Sequence, residues 1–91
     1  MRYRTSARFE RDLKRLDPIR KDRVQASIDR LVAGFETGQL AHGLGLKRLR
    51  AGLWELRAGL FDRVVFYRAS DVVEFLLVGS HEEIKQFLKA L

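Results

Sequence analysis

The sequence predicts an α+β domain: a four-stranded, antiparallel-type sheet with an N-terminal helical hairpin and a short C-terminal helix, in the order β-α-α-β-β-β-α. Three observations carry that prediction. Between Phe9 and Phe35 the apolar residues recur at intervals of three and four, the period of one helical face. From Leu53 to Gly79 the period changes to two, in runs of valine, leucine and aromatic residues divided by short breaks. After Ser80 the helical period returns, through Ile84, Phe87, Leu88 and Leu91. With 91 residues, 46% of them hydrophobic, the chain has material for one core, so residues 1–91 are expected to form one domain.

Each element follows from local chemistry. Met1 to Thr5 reads as a short strand. Ser6 is a good N-cap for a helix whose inward face is Phe9, Leu13 and Leu16, because its hydroxyl can accept from the free amides of the first turn. Asp17-Pro18 ends that helix and starts the next, with Asp17 as cap and Pro18 at the first helical position. The second helix runs from about Pro18 to about Thr37, with Val24, Ile28, Leu31, Val32 and Phe35 as its stripe, and Gly38 stops it.

Gln39 to Leu46 has no clean period and two glycines, which predicts a loop. In Leu53 to Ala58, Trp54, Leu56 and Ala58 fall on one side and Glu55 and Arg57 on the other. In Arg63 to Arg68, Val64 and Phe66 oppose Arg63, Val65 and Tyr67. Val72 to Gly79 is the last strand, and the short links imply a meander. Ser80 and Glu83 have capping-box spacing for a helix beginning at about His81. Helices on one face of such a sheet leave the other free, and the free face is where function is expected.

Charge is the first functional clue. The formal net charge is +6, with 13 basic and 6 acidic side chains in residues 1–50 against 5 and 6 in residues 51–91. So one-sided an excess suits a phosphate backbone or an acidic protein partner. The absence of cysteine excludes disulfides, thiolate nucleophiles and cysteine-based zinc sites. Met1 to Leu16 is charged throughout and lacks the apolar stretch of a signal peptide, so the expected location is the cytoplasm. No run approaches the roughly 20 apolar residues of a membrane helix.

Chemistry must come from few residues. His42 and His81 stand in no ligand-spaced cluster, and neither a metal nor another cofactor is expected. Arg57 and Arg63 share the side of Glu55, where two guanidiniums could grip a phosphate and stabilise charge on it. Cross-strand ion pairs on a solvated face would have the same sequence signature. His81, at a strand-to-helix junction, could move a proton from or to a ribose hydroxyl; it could equally be a surface residue of the first turn.

The run from Leu46 to Leu91 resembles the RelE/ParE toxin superfamily, particularly its RelE- and HigB-like branch. The matching pieces are Leu46-Lys47-Arg48-Leu49, Leu53-Trp54-Glu55-Leu56-Arg57, Arg63-Val64-Val65-Phe66-Tyr67-Arg68 and a last strand ending Val78-Gly79. The N-terminal hairpin has the family's length and pattern, so the resemblance spans essentially the whole chain.

The resemblance implies a RelE-like fold and a cytoplasmic toxin, monomeric alone and bound to an acidic antitoxin. It implies an endoribonuclease acting on mRNA in the ribosomal A site. Arg63 would stabilise phosphate charge, His81 would be the acid–base group and Glu55 a second base. Lys47, Arg48, Arg50 and Arg57 would bind the RNA backbone. The familiar RelE pattern has a basic residue at the position of His81, a tyrosine at Phe87 and a lysine pair around Leu53 and Glu55. Phe87 could then only stack on a base. A ParE-like toxin that binds DNA gyrase and catalyses nothing is the alternative, since one fold hosts both activities. A third is a family member that only binds its antitoxin and assists it on operator DNA.

Overall fold

The computed structural model describes residues 1–40 and 42–91. Its elements are β1 (Arg2–Thr5), α1 (Ala7–Arg15), α2 (Pro18–Thr37), β2 (Leu46–Arg50), β3 (Leu53–Ala58), β4 (Asp62–Ala69), β5 (Val72–Gly79) and α3 (His81–Lys89). The expected helix starts and stops are present. Ser6 accepts from the Phe9 amide at 3.0 Å, and Asp17 accepts from the Arg20 amide at 2.9 Å with Pro18 behind it. Gly38 closes α2 in the left-handed conformation. Ser80 and Glu83 complete a capping box on α3, at 3.0 and 3.2 Å.

The sheet differs from expectation in two ways. It has five strands rather than four, in the order β1-β5-β4-β3-β2, because Leu46–Arg50 pairs antiparallel with β3. Three of those five residues are basic, so the run lacks a strand's usual composition; it is an edge strand, where charge is tolerated and discourages edge-to-edge association. Leu46, expected as the end of a loop, begins this strand, and Ala41 of that loop lies outside the described residues. The second difference is direction. β1 runs parallel to β5, while the other neighbours are antiparallel. Short links dictate antiparallel pairing for β2 to β5, but β1 reaches its neighbour through the rest of the chain, so no such constraint acts on it.

Both faces of the sheet carry an apolar layer. On one, α1 and α2 bring Phe9, Val24, Ile28 and Leu31 against Leu56, Val64, Phe66, Val73 and Phe75. On the other, Ile84 of α3 joins Leu53, Val65 and Leu77, flanked by Leu49, Leu76, Phe87 and Leu88. The second face is therefore not free, contrary to the expectation from the sequence. Its middle row is apolar on β4 and β5, and α3 packs there. What stays exposed on it is a strip of side chains, Lys47 and Arg50 on β2, Arg57 on β3 and Tyr67 on β4, beside the buried Leu53 and Glu55.

Two polar contacts tie α1 to the strand that launches α3. A register shift between Val65 and Phe66 leaves Leu76 without a partner in the β4 ladder, and Ser6 Oγ donates to its carbonyl at 2.6 Å. Asp12 Oδ2 accepts from the Val78 amide at 3.1 Å.

Candidate functional site

The strand register gives the open strip its pattern, because residues paired across antiparallel strands share a face. Arg50 stands opposite Leu53, which stands opposite Tyr67. The next row is Lys47, Glu55, Val65 and Leu77. The third contains Arg57, Arg63 and Gly79. Successive rows are two residues apart on β3 and β4, about 7 Å along the strand, while on β2 a register shift between Arg48 and Arg50 puts Arg50, three residues from Lys47, opposite Leu53. The sequence thus brings Lys47, Arg50, Arg57 and Arg63 to one face around Glu55. Arg48 is separated from them, since its partner is Trp54 on the helical-hairpin side.

Arg63 and Glu55 are not independent groups. Arg63 Nε donates to Glu55 Oε2 at 3.3 Å, with the two side chains only 14% and 10% exposed. Glu55 is buried and Arg63 half-buried, so the carboxylate's charge is offset where solvation is weak. This contact uses one of five guanidinium N–H groups, and the two terminal nitrogens make no other hydrogen bond among the described residues. Arg57, by contrast, is exposed and forms no ion pair among the described residues. Lys47 and Arg50 are exposed on the edge strand.

His81 is the first residue of α3, two residues beyond Gly79 and exposed. Gly79 lets the helix turn closely over the strand end: a β-carbon there would lie 3.1 Å from Glu83 Cβ. The first residue of α3 therefore follows two positions after the end of the row that holds Arg57 and Arg63. Phe87 is half-buried in the apolar layer beneath α3, and the Arg8 guanidinium lies 5.9 Å from its ring centroid. One face of that ring is thereby occupied by a cation. His42 is exposed in the turn before β2.

Several features of the surface carry no signature in the sequence. Asp62 is 4% exposed and accepts from Arg20 Nε at 2.9 Å and Nη2 at 2.6 Å, clamping α2 to the start of β4 and raising the Arg20 pKa. Beside this clamp lies a cleft of about 230 Å³ whose lining includes Arg15, Arg20, Phe61, Asp62, Ser80 and Glu83. Tyr3 donates to Glu36 at 2.5 Å; burial first, then this bond and the nearby negative charge, push its pKa up to about 12. Tyr67 is 40% exposed at the far end of the basic strip. Strand alternation already put Tyr67 beside Arg63, but no periodicity reveals which ring will be left uncovered. No group of side chains suited to hold a metal occurs among the described residues. No described helix is long and apolar enough to cross a membrane.

Comparison with known proteins places this architecture. A chain of the RelB–RelE antitoxin–toxin complex from Methanococcus jannaschii superposes with a TM-score of 0.71 at 17% identity, over 92% of this chain and 96% of that one. A chain of the Escherichia coli DinJ–YafQ complex gives 0.72 at 15% identity, over 92% and 98%. The YoeB dimer from Staphylococcus aureus gives 0.67 at 15%, over 89% and 97%. At these identities the likeness is one of fold, and it bears out the RelE-like architecture expected from the sequence. No curated protein sequence matches significantly. The sequence model of the ParE toxin of the parDE type II toxin–antitoxin system matches residues 3–85. The chain belongs to this ParE toxin family, within the RelE/ParE superfamily of type II toxins.

Proposed function

We propose that this toxin is an mRNA endoribonuclease, acting in the ribosomal A site, with the β2–β3 strip as its RNA surface. The observation that carries the reading is the gathering of Lys47, Arg50, Arg57 and Arg63 on one sheet face, with His81 two positions after the end of the Arg57–Arg63 row. Lys47, Arg50 and Arg57 bind the backbone as exposed cations, and each contributes to salt-dependent affinity. Arg48, on the opposite face, contributes only to the field.

The reaction is transesterification at phosphorus. The ribose 2′-oxygen attacks the adjacent phosphate, the bond to the 5′-oxygen breaks, and the products are a 2′,3′-cyclic phosphate and a 5′-hydroxyl. Arg63 stabilises the charge that develops on the non-bridging oxygens through its terminal nitrogens. His81 takes the 2′-hydroxyl proton, directly or through one water, and water or the ribosome protonates the leaving oxygen. Glu55, already engaged by Arg63, orients that guanidinium rather than serving as a second base. An acidic antitoxin covering the basic hairpin and strip blocks this surface; relatives of the same fold were crystallised with the antitoxins RelB and DinJ.

The second reading, gyrase inhibition without catalysis, is favoured by one observation: the matching family model is that of ParE. Expression in a translation extract, with message 5′ ends mapped beside a DNA supercoiling assay, separates the two. Codon-phased cuts lost in both Arg63→Ala and His81→Ala support the nuclease. Loss of supercoiling with intact message supports the gyrase inhibitor.

A further inference from the structure

We infer that Tyr67 is a stacking platform for one base of single-stranded RNA, at the end of the basic strip away from Arg63. This rests on the reading of that face as an RNA surface. Four observations converge on it.

Tyr67 is the exposed aromatic residue of the row that contains Arg50, with 40% of the residue accessible. Its orientation is fixed by a glycine. At Gly52, in the β2–β3 turn with φ +81°, a β-carbon would lie 2.5 Å from Tyr67 Cε1 and within 3.2 Å of two further ring atoms. The ring therefore rests on bare backbone, held in one place while another part of its surface meets solvent. A pre-positioned ring loses little freedom on binding a flat ligand. The other aromatic residue on this side of the sheet, Phe87, is half-buried with Arg8 over its ring, so it is poorly placed for the same task.

The surroundings select the ligand. Lys47 and Arg50 lie toward the open edge of the sheet, where a phosphate backbone can follow them. On the other side, the cross-strand neighbour of Tyr67 is Glu74, which repels phosphate but tolerates an uncharged base. A strand of RNA is thus held with its phosphates over β2 and one base turned inward onto Tyr67. Tyr67 and Arg63 are four residues apart on β4, about 13 Å, so the stacked nucleotide is not the one whose linkage meets Arg63. Tyr67 is a binding residue, not a catalytic one.

The test is equilibrium binding of a fluorescein-labelled single-stranded RNA decamer to the purified full chain, across a series of salt concentrations. Tyr67→Leu keeps an apolar cover on Gly52 but has no π face, and Tyr67→Phe keeps the ring. Thermal unfolding accompanies each, and only variants with native-like melting are compared. Tyr67→Leu is expected to weaken binding roughly 5- to 150-fold, the loss of one stacked base, with an unaltered salt slope. Tyr67→Phe is expected to bind as wild type. Arg57→Ala is expected to reduce the salt slope by about 0.7, as loss of one phosphate contact does. If Arg57→Ala weakens binding while Tyr67→Leu does not, the platform is refuted and the RNA surface stands. Weakening in Tyr67→Phe equal to that in Tyr67→Leu also refutes it, by assigning the effect to the hydroxyl. If wild type binds no RNA even at low salt, the platform and the RNA surface fall together. RNA binding that depends on Tyr67 in a protein that cuts no message would uphold the platform and remove the nuclease.

Discussion

Arg63 and Glu55 form a half-buried ion pair within the sheet, Nε to Oε2 at 3.3 Å, between neighbouring rows of β4 and β3. The pair gives the strip one anchored guanidinium beside cations that are exposed and in no ion pair among the described residues. It also makes Arg63 a structural residue as well as a proposed catalytic one. Removing Arg63 strands a carboxylate that is 10% exposed, which costs about 1–3 kcal/mol. Arg63→Ala should therefore lower the urea midpoint clearly more than Arg57→Ala, whose side chain is exposed and unpaired among the described residues. A double-mutant cycle with Glu55→Gln should show favourable coupling. Equal, small effects from both arginines would mean the contact does not stabilise the fold.

The clamp between Arg20 and Asp62 makes a similar claim at the other end of β4. Asp62 is buried and takes both its hydrogen bonds from one guanidinium. Arg20→Ala should lower the melting temperature by several degrees at neutral pH. Arg23→Ala, one turn along the same helix and exposed, should leave it nearly unchanged. Matching melting curves would show that Asp62 finds other partners.

Tyr3 gives a pH-dependent prediction. Its phenol keeps its proton to about pH 12 in the folded chain, against 10.0 for the free group. Its contribution to stability is fully present below pH 10. It is lost between pH 10 and 12, where the unfolded chain gives up the proton and the folded one does not. Denaturant titrations across that range should show a steeper fall for wild type than for Tyr3→Phe. Parallel curves would mean that neither the burial of Tyr3 nor its bond to Glu36 persists in solution.

Much of the fold was readable from local chemistry. Ser6, Asp17, Gly38 and Ser80 mark helix ends by the groups they satisfy, and those marks do not depend on the rest of the chain. The strand Leu46–Arg50 was not legible, because its three cations answer to an exposed edge and not to a core. The cover on the second face was missed for a related reason. The apolar side of α3 was plain in Ile84, Phe87 and Leu88, but which face of the sheet it meets is set by the turn at Gly79. At the site, alternation placed Glu55, Arg57 and Arg63 together correctly. It could not separate Arg48 from Lys47 and Arg50, since that needed the register of an unrecognised strand. Ion pairing of Arg63, and the ring left uncovered at Tyr67, are properties of packing.

The hairpin and strip together carry the positive field that an acidic antitoxin would meet. The association rate with the cognate antitoxin should fall steeply as ionic strength rises, while dissociation changes less. Stopped-flow measurements at low and high salt test this, and a rate indifferent to salt would contradict electrostatic capture.

The most direct test of the nuclease is the chemistry of the cut ends. Purified toxin would be mixed with ribosomes paused on a 5′-labelled message with a defined A-site codon, and the fragments analysed for terminal groups. The expected result is one principal cut in that codon, leaving a 2′,3′-cyclic phosphate and a 5′-hydroxyl, and its loss in His81→Ala. A message that stays whole, or fragments ending in 5′-phosphate, would contradict it.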